Sequence, residues 1–345
     1  MYLRVIADIS GIQIDTSNTK STEVYSIELI SGTARIIPKK SEGQNPQFSV
    51  EYDEKITPPI NIKLLLNAFC DGKRPDTGKK ATLLEHLKMR GGEDCGLEHF
   101  PDELSIYLKR IETNATQRVK SFVSVLRWRF NLDSKAKPIS SLNAYCSHSL
   151  KGPWIYISDL ENRIMYGEDK RVSIENVISP DFLEFFASSE SEPIGHELYR
   201  EARDILSVSK RGALVLGVAS VEVRLKELIG EAFPSVNWLI TEVQSPPLVK
   251  IFKHYIPELF EEYKDSIIKF RETKHMRQIT KAIELRNNIS HRGADADTGW
   301  VVVDFIDSAE QFVWFCDFLA GYLWAEDNFD QITKKCFINS PTERL

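Results

Sequence analysis

Arg286, Asn287 and His291 stand in one short segment, Ile283-Glu-Leu-Arg286-Asn-Asn-Ile-Ser-His291-Arg-Gly293. These residue types match what metal-independent cleavage of RNA requires. Histidine gives or takes a proton near neutral pH. Arginine offers a planar, permanently charged fork to the charge that builds on a phosphate. A neutral amide such as Asn287 can orient either partner, and with the ribose 2′-hydroxyl as nucleophile no metal ion is needed. The neighbourhood is basic. Between Arg271 and Arg292 lie Arg271, Lys274, Arg277, Lys281, Arg286 and Arg292, opposed only by Glu272 and Glu284. Lys281 and Arg292 are the candidate phosphate contacts from this stretch.

The segment continues a helical pattern at Ile279, Ala282 and Ile283, and Gly293 supplies a helix end. At about 100° per residue, Asn287 and His291 fall about 40° apart, nearly on one face, whereas Arg286 and His291 are about 140° apart. Arg286 and His291 therefore converge only if the helix frays near His291 or if two such helices meet across a dimer axis. A plainer reading has Asn287, Asn288 and Ser290 capping a helix, with His291 a surface residue.

The flanking sequence predicts helices. Glu197 to about Glu231 reads as one long helix or two broken near Gly212, followed by Leu248 to about Phe270, Gln278 to Ser290, and Asp307 to Leu323. Trp300 to Phe305 is a short apolar stretch between the last two. The first part of the chain is different. Tyr25–Ile30 and Phe48–Tyr52 alternate as strands do, Thr33–Ile37 is β-branched, and Trp154–Ile157 is a candidate strand after Gly152-Pro153. Residues 60 to 135 read as mainly helical, with a long pattern from Pro101 to Phe130. The small, polar, acidic stretch Ala187–Pro193 marks the boundary. The expected fold class is α+β, with residues 1–190 a mixed β/α domain and 195–335 an all-α helical bundle.

In this setting the Arg286–His291 segment resembles the Arg-x4–6-His motif of the HEPN superfamily, whose helical domains often act as metal-independent ribonucleases. Ala213–Ile229, small and apolar with Glu222 inside it, resembles the second helix of that family, and the aromatic helix after Asp307 resembles its last. The Apea-like group is the most similar. The resemblance covers roughly 195–335 and implies a homodimer, with Arg286 and His291 of both protomers lining one cleft and Asn287 positioning His291 or the phosphate. His291 would be general acid or base, Arg286 would hold the scissile phosphate, and the products would end in a 2′,3′-cyclic phosphate and a 5′-hydroxyl. Glu222 would be either a buried partner orienting Arg286 or an exposed helix acid. The arrangement also implies a defence or toxin system, in which residues 1–190 sense a trigger and the helical domain attacks RNA. A helical domain that only binds RNA or dimerises is the alternative.

Composition bounds these readings. The 345 residues suffice for two domains or three small ones, and 42% hydrophobic with 27% charged residues is ordinary for a folded protein. A net charge of −6 rules out a generic polyanion binder, so any basic surface must be local. Five scattered cysteines, Cys70, Cys95, Cys146, Cys316 and Cys336, predict free thiols. No stretch is long and apolar enough for a membrane span, and Met1–Asp15 lacks the basic start and long apolar stretch of a signal peptide, so a cytoplasmic protein is expected; no cofactor is expected either. Gly72–Lys80 has the wrong glycine spacing for a phosphate-binding loop. Cys95-x3-His99 and Cys146-x-His148 match no common zinc spacing, so no metal site is expected. Phe122, Trp128 and Phe130 sit at helical spacing and are read as core.

Overall fold

The computed structural model describes residues 1–9, 12–15, 25–29, 32–39, 47–71, 100–132, 139–162, 170–173, 179–187, 191–236, 242, 247–292 and 299–337. Gly72–Lys80, Cys95, His99 and Gly293 lie outside these residues, as do the side chains of Ser290, His291 and Arg292. The fold is α+β, in two compact units, Met1–Ser191 and Glu192–Leu345. The division falls within the acidic stretch Ala187–Pro193.

Unit 1 is built on an antiparallel sheet of β1 (Tyr2–Ile9), β3 (Tyr25–Leu29), β4 (Gly32–Lys39), β5 (Gln47–Lys55), β6 (Ile139–Ser147) and β7 (Ile155–Asn162), in the order β3-β4-β5-β1-β6-β7. A second, two-stranded parallel pair joins β2 (Ile12–Asp15) to β8 (Lys170–Ser173). Alternation along β1 sends Leu3, Val5, Ala7 and Ile9 to one face. That face is buried with Val50, Tyr52, Leu142, Ala144 and Cys146 against residues of α1 (Ile60–Cys70) and α2 (Asp102–Arg129). Pro58 and Pro59 end the β stretch, and Pro59 and Pro101 directly precede the two helices. Asp102 and Glu103 in the first turn of α2, with Arg127 and Arg129 in its last, complement the helix dipole. Phe122 and Trp128 are core, and Phe122 and Phe130 pack on Phe182 of α3 (Pro180–Ala187). The opposite face of the sheet is polar. Arg4 grips Asp53 with two hydrogen bonds, at 2.7 and 2.9 Å, and its guanidinium lies 4.0 Å over Trp154.

Unit 2 is all helical. The long periodic run after Glu197 is two helices, α4 (Ile194–Ile205) and α5 (Lys210–Ala232). The break lies at Leu206–Ser209, just before Gly212. There the Ser209 hydroxyl accepts the Gly212 amide at 3.1 Å and caps α5. Leu248 to Phe270 is not one helix. It divides into α6 (Leu248–His254), α7 (Ile256–Leu259), a 3₁₀ turn and α8 (Lys264–Arg271); the first break falls where Pro257 has no amide hydrogen to continue the ladder, the second where Phe260 leaves the helical region at φ −121° and ψ 65°. α9 (Lys274–Arg292) starts earlier than its apolar pattern and runs through His291. Trp300–Phe305 is not a separate stretch. It forms the first turns of α10 (Gly299–Leu319), where Val302, Phe305 and Ile306 are buried. α10 stops at Leu319 and not at Leu323, because Gly321 adopts a positive φ of 99° and the Tyr322 amide turns back to the Asp317 carbonyl. α11 (Gln331–Phe337) follows.

α5 and α10 form the centre of this unit, with α4 and α9 packed against them. α10 is buried almost all round, with Phe312, Val313, Trp314, Phe315 and Phe318 inside. The approach of α4 to α5 is close enough to need glycine at 195. A Cβ there would stand 2.5 Å from the Arg224 Cβ and 3.0 Å from its Cα. Gly195→Ala is therefore expected to cost about 1–3 kcal/mol, the range for an overpacked core. The check is the urea midpoint of the variant, and an unchanged midpoint would show that α4 can shift freely.

Candidate active site

Two elements decide where the predicted site residues stand. α5 carries Glu222 toward α9, and α9 carries Arg286 toward α5. The Arg286 guanidinium donates to the Glu222 carboxylate across the helix pair. Of the two readings of Glu222, the structure has the paired one. Both side chains are mostly covered, at 21% and 16% exposure, so the pair sits at the rim of the bundle. Arg286 Nε is buried and has no hydrogen-bond partner among the described residues. The guanidinium fork thus has donor capacity beyond what Glu222 takes up.

Asn287 is exposed, one residue beyond Arg286. Lys281 is exposed on the same helix, one and a half turns earlier. His291 and Arg292 belong to the last turn of α9, and their side chains lie outside the described residues. Because the helix is continuous to Arg292, Arg286 and His291 leave its axis about 140° apart. The fraying that would bring them together within one chain is not a feature of this backbone.

The basic surface is thinner than the sequence count implies. Arg271 is matched by Glu272 at 3.1 Å, and Arg286 by Glu222. Local positive charge on the exposed side of α9 therefore rests on residues such as Lys281 and Arg277.

Sequence reasoning missed the buried network that fixes α5. Arg224, two residues past Glu222, points into the core and is fully covered. Its Nε donates to Asp317 of α10 at 2.6 Å, and its two terminal nitrogens donate to Glu231 at 3.2 Å each. Asp317 also meets His196 Nε2 of α4 at 2.7 Å. Burial opposes the charge on Arg224, but Asp317 and Glu231 outweigh it and hold its pKa above the ordinary value. The Glu227 carboxylate accepts the Ile194 and Gly195 amides at the start of α4, and burial raises its pKa. These contacts tie α4, α5 and α10 into one frame, and that frame sets the direction from which Glu222 meets Arg286. The signal was present in the sequence as charges inside apolar runs, Val223-Arg224-Leu225 and Cys316-Asp317-Phe318. Such charges are almost never buried unless paired.

No group of three or more histidine, cysteine or carboxylate side chains suited to a metal ion occurs among the described residues. Cys146 faces the core of unit 1, while His148 pairs with Asp71 at 3.0 Å on the surface, so the two do not converge. No helix among the described residues is long and apolar enough to cross a membrane. Comparison of the chain with known protein families, with curated proteins and with solved structures finds no match.

Proposed function

We propose that unit 2 is a metal-independent endoribonuclease domain of the HEPN type, working as a homodimer in the cytoplasm. The observation that carries this reading is the Glu222–Arg286 pair. A carboxylate on one helix holds an arginine at the rim of the bundle, with exposed Asn287 next to it and His291 one turn further along. The continuity of α9 supports the dimer, since a second protomer is then the route by which His291 and Arg286 face one phosphate.

In this mechanism one His291 imidazole removes the proton of a ribose 2′-hydroxyl, which attacks the adjacent phosphorus. The P–O5′ bond breaks, and a protonated imidazole gives the leaving oxygen its proton. Arg286 stabilises the charge on the non-bridging oxygens, Glu222 keeps the guanidinium in place, and Asn287 orients the phosphate or His291. Lys281 and Arg292 bind flanking phosphates. The products carry a 2′,3′-cyclic phosphate and a 5′-hydroxyl. Unit 1 is proposed to bind the trigger of a defence or toxin system.

The test is incubation of the full chain with RNA in excess EDTA, followed by analysis of the new ends. Cyclic phosphate and 5′-hydroxyl ends are expected. Cleavage that EDTA abolishes would sink the mechanism. No cleavage in vitro and no toxicity on expression in cells would favour the binding or dimerisation module instead.

Glu222→Gln separates positioning from binding. It keeps an acceptor for Arg286 but removes the charge, and charge-assisted hydrogen bonds are worth about 1.5–3 kcal/mol. A drop of about ten- to a hundredfold in kcat is expected, with RNA affinity nearly unchanged. A change in affinity alone would assign Glu222 a different role.

A further inference from the structure

Two thiols of unit 1 meet inside its core. Cys70 is the last residue of α1, and Cys146 lies on β6. Their sulfur atoms are 3.2 Å apart, although the residues are 76 positions apart in the chain. Both belong to the buried core, Cys146 at 0% exposure and Cys70 at 7%. A disulfide bond is about 2.05 Å long, so closing it asks the sulfurs to approach by about 1.1 Å. The two backbones are already held next to each other by an independent contact. Asp71, following Cys70, pairs with His148, two residues past Cys146, at 3.0 Å. Neither sulfur is engaged in the proposed ribonuclease chemistry, which belongs to the other unit.

We propose that Cys70 and Cys146 form a redox-reversible disulfide, closed by a hydroperoxide and reopened by a dithiol reductant. The two cysteines have different roles. Cys70 is at the end of its helix and retains slight exposure, so it meets the oxidant first. The contact with Cys146 lowers the pKa of Cys70, while the same contact and burial raise that of Cys146. The Cys70 thiolate attacks the terminal oxygen of the hydroperoxide. The O–O bond breaks, an alcohol or water leaves, and Cys70 becomes a sulfenic acid. The Cys146 sulfur then attacks the Cys70 sulfur, and water departs with the thiol proton. Two thiols and one hydroperoxide thus give one disulfide, one alcohol and one water, with two electrons passing from sulfur to peroxide oxygen.

The bond would close a ring that contains α2 and part of β6. Such a cross-link restricts the unfolded chain and favours the folded one. The oxidised form of unit 1 is therefore the more stable.

The test treats the full chain with hydrogen peroxide, blocks remaining thiols with N-ethylmaleimide and maps peptides by mass spectrometry. The expected result is a Cys70–Cys146 cross-linked peptide that dithiothreitol removes, together with a melting temperature several degrees above that of the reduced protein. In Cys146→Ala, Cys70 is expected to stop at the sulfenic acid and be captured by dimedone. Recovery of both cysteines as alkylated peptides after oxidation would overturn the proposal. So would a cross-link joining Cys70 to Cys95 or to another chain. The wild-type map decides the matter even if the variant fails to fold.

Discussion

Replacing His291 by alanine is expected to lower RNA cleavage by roughly 10²–10⁴-fold, the usual worth of a positioned general acid or base. The proposed reaction needs a group that changes protonation near neutral pH at both the attacking and the leaving oxygen. Arg286 cannot supply it, because a guanidinium stays protonated. The variant should keep the urea midpoint of the wild type, since position 291 lies in the last turn of α9, beyond the helix's buried residues Met276, Ile279, Ala282 and Ile289. It should also keep most of its affinity for RNA, which the proposed mechanism assigns to cations such as Lys281. The measurement is single-turnover cleavage of one labelled RNA by both proteins in EDTA, with binding followed in parallel. Equal rates would remove His291 from the mechanism. A parallel loss of affinity and rate would point to a binding role, and that role would then show the salt dependence of phosphate contacts.

Asp317→Ala is expected to be the most damaging single change to unit 2. Asp317 is fully buried, with Arg224 on one oxygen at 2.6 Å and His196 on the other at 2.7 Å. Removing it leaves the buried guanidinium with only the Glu227 and Glu231 end of its shell. Breaking a buried pair from one side costs about 3–5 kcal/mol, because the remaining charge has lost water without gaining a partner. Replacing both partners, as in Arg224→Met with Asp317→Leu, should cost less than Asp317→Ala alone, since the fully buried guanidinium is then gone and the Glu227 and Glu231 carboxylates left behind are partly exposed. Urea denaturation of the two variants against wild type measures this. Equal losses for the single and double variants would mean that the network contributes packing but little electrostatics. Asp317→Ala should also lower cleavage, through loosening of α5 and hence of Glu222. That loss should diminish under stabilising conditions, whereas the loss in His291→Ala should not.

The two predictions differ in how far the sequence anticipated them. Arg286, Asn287 and His291 stood out because their types are rare together and the segment is short. Glu222 was a candidate through resemblance alone, and its contact with Arg286 joins positions 64 apart in sequence. Arg224, Asp317 and His196 were passed over. A charged residue in an apolar run reads equally well as a helix residue turned to solvent. Only the packing of α4, α5 and α10 places all three at one point.

The elements show the same division. Strands β3, β4 and β5 were legible because alternation and punctuation are local. The central strand β1 and its neighbour β6 were not named, although they pair along most of their length. Tyr2 and Ser147, which pair at one end of that ladder, lie too far apart in the chain for any local pattern to link them. α2 announced itself through Pro101, its acidic first turn and a long apolar stripe. The first turns of α10 did not, because Trp300-Val-Val-Val carries no amphipathic pattern. Further along α10, where Gln311–Leu319 are buried on all sides, burial likewise erases the periodicity. The apolar pattern from Leu248 to Phe270 runs on across Pro257, where the missing amide hydrogen breaks the helix.

The sequence by itself therefore determined what depends on chain-local physics. It set the helix and strand periods, proline stops and caps, the α+β class, and the cluster of chemical types at the end of α9. The tertiary structure alone decided what depends on meetings between distant segments. It decided that Glu222 holds Arg286, that one carboxylate anchors three helices, that β1 lies at the middle of its sheet, and that Cys70 meets Cys146. Periodicity records which side of an element avoids water. It carries no record of which other element covers that side, and these features arise from that choice of partner.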